Sequence, residues 1–520
     1  MKKYKTKILI ILIIFILIIY MIYNIYLNRT KKVDNIENNI LKEKIIDNNL
    51  RIGIIDFDTI NPILSNNENV EKVSKLIFEP LIDLTQDYRL EPCMSIEWAK
   101  IDNSTYLIKL RENVEWHDGK IFKADDVIFT YNMIKETGDK SIYYNNIKNI
   151  KNIKKVDDYI IKITIDKPIS YFEYNLTFPI MSSKELVGTC MYYISDFQES
   201  SIILNNNNNW WKKKEIKIDT IKLSFYNNLN LAIDNFENSN IDMFMTSFNN
   251  IDEKIQMLQA NKINVINKNY NYIALNCKDD ILQFKEVRQA INCSINKQRI
   301  VEEIYNGQYK TSNFPLDFGY YLYSQNSEKV EYNLEKAKKI LEDAGWKYNL
   351  NNWIKETDNG YKKINIEILV NNDNEQKIKV AELIKEQLNM VGIKSVIIKK
   401  NENEYQKSIS QSKYDLALVN TMNMYTPSLE QYFEKNNISN YENNNIITKM
   451  KQIEQGNDED NQRKLLNEII SKYNEDVQYI SLYYDTNKIV YSNNLRGRIE
   501  PNSYNVFYNM GEWYREYDKK

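Results

Sequence analysis

Apolar residues run unbroken by charge from Ile8 to Leu27, a 20-residue stretch with one interior amide, Asn24. At a helical rise of about 1.5 Å per residue it spans about 30 Å, the thickness of a bilayer's hydrocarbon core, so the pattern predicts a membrane-crossing helix. Lys2, Lys3, Lys5 and Lys7 precede it, and Arg29, Lys31 and Lys32 follow. With the free amino terminus added, the positive-inside tendency places residues 1–7 in the cytoplasm and the bulk of the chain outside. A secretory signal would have a shorter apolar region ending in small residues. This one runs into Tyr-Asn-Ile-Tyr-Leu-Asn-Arg, so an uncleaved single-pass anchor over residues 8–27 is expected. Residues 28–47 are polar and rich in Asn and Lys, as a tether would be.

From residue 48 the periodicity is that of an α/β protein. Leu50–Ile55 reads as a strand, followed by the turn-rich loop Asp56-Phe57-Asp58-Thr59-Ile60-Asn61-Pro62. Helical spacing of Val73, Leu76, Ile77 and Leu81 predicts a helix from Val73 to Ile82. Tyr106–Leu110 and Val114–Trp116 predict short strands, with His117-Asp118-Gly119-Lys120 as the turn after them. Asp125 and Asp126 then open a helix, where carboxylates complement the helix dipole. Adjacent helical residues do not face each other, so the pair is not an acid/base couple.

The clearest signal lies further on. Leu334–Ala344 is an amphipathic helix with Asn333 as N-cap and Gly345 as C-terminal glycine. Alternation of Ile364, Ile366, Ile368 and Val370 predicts a strand. Then come a helix from Gln376 to Met390, a strand at Val396–Ile398, a helix over Glu404–Ser410 and a strand over Tyr414–Val419. The order β-α-β-α-β packs as a parallel sheet with helices on its faces. Ligands of open α/β sheets sit beyond the carboxyl ends of the strands, so the segment Asn420-Thr421-Met422-Asn423-Met424-Tyr425-Thr426-Pro427 is expected to border a crevice.

Length and composition narrow the classes. A chain of 520 residues exceeds what one core usually supports, so two or more lobes are expected. The formal net charge is −2, with both signs interspersed, which argues against nucleic acid as a partner. The 39 Tyr suit rings lining clefts or interfaces, although Asn, Ile and Lys are inflated with them, as AT-rich coding would do. Four cysteines lie far apart with no C-x-x-C pair, and there is one histidine, His117. No metal site, cofactor or catalytic constellation is expected; His117 reads as a turn residue bonded to backbone.

At the level of motifs the chain resembles the family 5 extracellular solute-binding proteins, the oligopeptide, dipeptide and nickel receptors of ABC importers. Lys109–Lys120, continuing through Ala124-Asp125-Asp126-Val127-Ile128-Phe129-Thr130, is similar to that family's "LR-x-x-V-x-W/F-x-D/N-G" hairpin and following helix. Glu91-Pro92 with Trp98, Ile218–Ile221, Phe284–Asn292, Ala337–Trp346, Leu388–Ile393 and Tyr414–Leu416 resemble further family segments in the family's order.

The resemblance implies a two-lobed periplasmic-binding-protein-like fold of type II that closes over a peptide or other small solute. It implies lobe I from 48–82, 188–267 and 480–520, an inserted subdomain at 83–187, and lobe II at 268–479. It also implies an ABC permease as partner and a ligand site at Asp58 and Thr59 together with Asn420–Asn423 and Tyr425. The position where peptide receptors hold the ligand α-amino group with an Asp is matched by Asn423. Where dipeptide receptors place an Arg for the ligand carboxylate, this chain offers Lys377 and Lys379. The "G-T-G-P-Y" crossing reads Gly188-Thr189-Cys190-Met191-Tyr192. These departures leave open a receptor for another solute, such as a nickel chelate, or a sensor or scaffold that no longer serves transport.

Overall fold

The computed structural model describes residues 19–27, 44–184, 186–247, 253–324, 327–358, 360–423 and 425–518. Of the expected anchor, residues 19–27 are helical, and the rest of Ile8–Leu27 lies outside the described residues. Among the described residues no helix is long and apolar enough to cross a membrane.

One eleven-stranded sheet organises the molecule. At one end, Asn49–Ile55 pairs in parallel with both Thr220–Tyr226 and Met243–Ser247, giving the first lobe. At the other, Asn365–Asn371 pairs in parallel with Lys394–Lys400 and Leu416–Met422, giving the second. The strand and helix order predicted for the second lobe is present, with Glu375–Met390 and Glu402–Ser410 as its helices. Asn374 and Asn401 cap them by accepting from the main-chain N–H of Lys377 and Glu404. Asn333 caps Leu334–Asp343 in the same way, and Gly345 follows with φ +86°.

Two long antiparallel strands, Asn261–Leu275 and Tyr479–Tyr491, join the lobes. Their pairing runs to Ile266 opposite Thr486, breaks, and resumes at Tyr270 opposite Tyr484. Residues 267–269 therefore face the single residue Asp485 where the lobes meet. Such a bulge interrupts the ladder and locally bends the strand.

A four-stranded antiparallel sheet in the order Ser95–Asp102, Thr105–Leu110, Ile160–Ile165, Ile150–Asp157 packs with helix Ala124–Thr137. Its core is continuous with that of the first lobe. The second lobe has an aliphatic core under its helices. A third cluster, rich in Tyr, lies across the boundary: Tyr88 and Tyr174 join Tyr270, Phe318, Tyr432 and Tyr484.

Two local expectations give way to tertiary contacts. The helix predicted from Val73 to Ile82 instead spans Glu68–Ser74. Beyond it, the carbonyls of Leu76 and Ile77 accept from the main-chain N–H groups of Tyr192 and Cys190. Those bonds hold residues 76 and 77 against another segment, where an intrahelical ladder cannot form. Val114–Trp116 is no regular strand: a single bridge joins Glu115 to Ile121, while Thr105–Leu110 pairs with Ser95–Asp102 and Ile160–Ile165. The turn itself is as read, with Gly119 at φ +81° and the Gly119 N–H donating to the Trp116 carbonyl.

The expected tether ends in structure. Lys44–Asp47 pairs antiparallel with Tyr514–Asp518. Beneath this pair Arg515 donates to Asp47 at 2.7 Å and lies 3.0 Å from Asp242, which also takes two bonds from the Arg51 guanidinium.

Candidate functional site

The bulge between the crossing strands sets the site. Along Asn267-Lys268-Asn269-Tyr270-Asn271-Tyr272, side chains alternate between two faces as a strand requires. The Asn series joins a polar trough. Asn267 Nδ2 donates to Asn487 Oδ1 (3.2 Å), and Asn487 Nδ2 donates to Glu68 (2.9 Å). Asn269 and Asn271 donate to the two oxygens of Asp485, at 3.2 and 2.8 Å. The Lys/Tyr series turns the other way. Lys268 Nζ meets Glu71 at 2.6 Å, and the Tyr272 hydroxyl bonds to Thr421 at 3.1 Å.

Two recesses open over the trough. One, of about 430 Å³, lies at the carboxyl ends of Asn49–Ile55 and Met243–Ser247, with Asp56, Asp58 and Glu68 in its wall. The other, of about 400 Å³, lies at the carboxyl ends of Asn365–Asn371 and Leu416–Met422, with Asp373, Lys377 and Asn420 in its wall. They share Asn269, Tyr309 and Asp485. Each volume is in the range of small-molecule sites, and both stand where strands of an open α/β sheet end.

Burial sets the charge states at the floor. It pushes the Asp485 carboxyl up to about 6, against the pull of its two Asn donors and of Lys377, while Glu68 adds to the rise. Burial also lowers the Lys377 ammonium, whose Nζ donates to Asn420 Oδ1 at 2.6 Å. On the other face, burial raises the Glu71 carboxyl, but Lys268 and Lys72 outweigh it and hold the group at about 2.

The expected ligand positions divide among these surroundings. Asp58 lines the first recess, and its carboxylate accepts from the Ser65 hydroxyl and the Thr59 N–H. Thr59 shares that loop, where its hydroxyl accepts from the Asn61 N–H. Asn420 lines the second recess, Thr421 bonds to Tyr272, and Met422 is exposed.

Asn423 is spent on the protein itself. Its Nδ2 donates to the Tyr484 hydroxyl and the Pro315 carbonyl, and its Oδ1 accepts from the Tyr432 hydroxyl and Gln431. Tyr425 donates to the Ser503 carbonyl and stacks on Tyr88 at 5.7 Å between centroids. The space around Asn423 and Tyr425 is only about 10 Å³, so in this conformation they form packed boundary rather than open cleft.

Sequence reasoning missed the floor: Asn267, Asn269, Asn271 and Asp485. The alternating Asn-Lys-Asn-Tyr-Asn-Tyr was a readable strand signal with one polar face. Asp485, however, is a lone acid within a Tyr-rich run, and only the pairing of distant strands gives it meaning.

His117 is structural. Its Nδ1 accepts from the Gly188 N–H at 3.2 Å, so the ring proton sits on Nε2 and donates to the Cys190 carbonyl at 3.0 Å. Burial lowers its pKa to about 4.

Residues 89–442 match the family model described as bacterial extracellular solute-binding proteins, family 5 middle. The chain belongs to this family. The oligopeptide-binding protein AppA of Bacillus subtilis is 22% identical over 500 residues, covering 89% of this chain and 91% of AppA. Among solved structures, the periplasmic murein tripeptide-binding protein MppA, in its unliganded open form, superposes with a TM-score of 0.77 at 17% identity, covering 91% and 99% of the two chains. NikZ of Campylobacter jejuni, in complex with Ni(L-His), gives 0.59 at 22% identity, covering 90% and 100%. The fold is thus the two-lobed solute-binding fold, and this family 5 member is a binding protein rather than an enzyme.

Proposed function

We propose that this chain is a membrane-tethered, extracytoplasmic receptor of an ABC importer that takes a peptide-sized solute between its lobes and delivers it to a permease. The observation that carries the reading is the shared floor: two strands run through both lobes, and the recesses on either side meet at Asn269 and Asp485. A solute seated there touches both lobes at once, so it favours the arrangement in which both contact it, and a permease can read that arrangement. AppA, an oligopeptide-binding protein by name, supports a peptide-like solute. The apolar run Ile8–Leu27 supports the tether.

The test is a thermal-shift titration of the full chain in detergent with randomised tri- to pentapeptide pools. A ligand at one hundred times its Kd adds about 2.7 kcal/mol, a clear rise in melting temperature. A melting temperature unmoved by every pool would overturn the peptide reading. For the tether, the chain should stay in the membrane pellet after alkaline carbonate extraction; release into the supernatant would contradict it.

A further inference from the structure

The wall charges of the cleft are unbalanced. Among the described residues, the two recesses are lined by the carboxylates of Asp56, Asp58, Glu68, Asp373 and Asp485, against the single ammonium of Lys377. Lys377 directs a bond to the neutral Asn420. Asp485 stands at the one place both recesses share, and its fixed partners are two neutral amides, which orient a carboxylate without cancelling its charge. Lys377 and, more weakly, Glu68 sit close enough in the same trough to act on it electrostatically, with opposite signs. A cleft lined mainly by one sign of charge concentrates solutes of the other sign. The same carboxylates oppose an anionic guest, and a charge-assisted hydrogen bond is about twice as strong as a neutral one.

We propose that the solute is a basic peptide, whose ammonium or guanidinium side chain is received at the cleft floor by Asp485, with Glu68 beside it. This rests on the peptide reading above and adds the class of peptide. Asp485 is then the specificity-determining residue of the cleft: Asn269 and Asn271 aim its oxygens, and the break in strand pairing brings it to the point where the lobes meet.

The experiment is calorimetric titration of the full chain in detergent with three tetrapeptide pools of matched length: one rich in Lys and Arg, one uncharged, one rich in Asp and Glu. The basic pool is expected to bind at least tenfold tighter than the uncharged pool, with the acidic pool weakest. Asp485→Asn should lower the affinity for the basic pool at least tenfold and cut the wild-type preference for the basic over the uncharged pool at least threefold. Asp485→Glu, which keeps the charge, should retain part of the preference.

Uncharged or acidic pools that bind wild-type protein as tightly as the basic pool would overturn the charge assignment while leaving the peptide reading intact. An unreduced basic preference in a folded Asp485→Asn variant would overturn the role of Asp485. Failure of all three pools to bind wild-type protein would remove both readings together.

Discussion

The phenol of Tyr425, carried by the second lobe, donates a 2.6 Å hydrogen bond to the main-chain carbonyl of Ser503, carried by the first. Its ring stacks on Tyr88, and the Tyr88 hydroxyl in turn accepts from the Ser503 N–H. Tyr425→Phe keeps the ring and deletes the bond, leaving the Ser503 carbonyl without that donor. A loss of about 0.5–1.5 kcal/mol is expected from this boundary. Small-angle scattering of the ligand-free variant should show a larger radius of gyration as the lobes separate more readily. An unchanged profile would mean that the contact does not hold the lobes together.

The single histidine gives a clean acid response. His117 titrates near its usual value of 6.5 when unfolded and at about 4 when folded, because burial disfavours its charged form. Its contribution to stability is complete above about pH 6.5 and is lost as pH falls through about 4, amounting to at most about 3 kcal/mol. His117→Gln should flatten the fall in melting temperature between pH 6.5 and 4. An acid limb identical to wild type would assign that sensitivity elsewhere.

Asp485 has the opposite sign. Its carboxyl lies near 6 instead of the usual 3.8, so ionising it costs the fold stability that is present at low pH and lost as pH rises through about 6. Asp485→Asn should therefore raise the melting temperature of ligand-free protein at pH 8, by the equivalent of about 1–3 kcal/mol, with little effect at pH 4. The groups acting on it from neighbouring elements are Asn269, Asn271, Lys377 and Glu68. In wild-type protein, affinity for a basic peptide should weaken as pH drops below about 6. A flat affinity from pH 5 to 8 would contradict this.

Arg515 is buried between Asp47 and Asp242. Arg515→Met leaves the nearly inaccessible Asp242 with Arg51 as its cation and takes one from Asp47. Breaking one side of a buried pair typically costs about 3–5 kcal/mol. Thermal unfolding should show this as a lowered transition, and proteolysis should begin within residues 44–47 as their pairing strand loosens.

Local order was legible wherever side-chain period and capping agreed. In the second lobe, Asn333 and Gly345 flank their helix as the sequence suggested, and the strands around Ile368, Ile397 and Leu416 lie in parallel pairs as their order implied. Legibility failed where distant backbone decides the outcome. Leu76 and Ile77 have helical spacing, yet Cys190 and Tyr192, more than a hundred residues away, claim their carbonyls. The cleft shows the same limit. Position along the chain put Asn423 at a strand end, but only the folded structure reveals that its amide is filled by Tyr484, Pro315, Tyr432 and Gln431. The charge instead stands on a different strand, at Asp485.

The strand Lys44–Asp47 is zipped to Tyr514–Asp518 on the first lobe. A pull applied at Lys44 is therefore taken up by that lobe and bypasses the bulge at Asp485. The second lobe feels such a load second-hand, through Asn261–Leu275, Tyr479–Tyr491 and the tyrosines packed where the lobes meet.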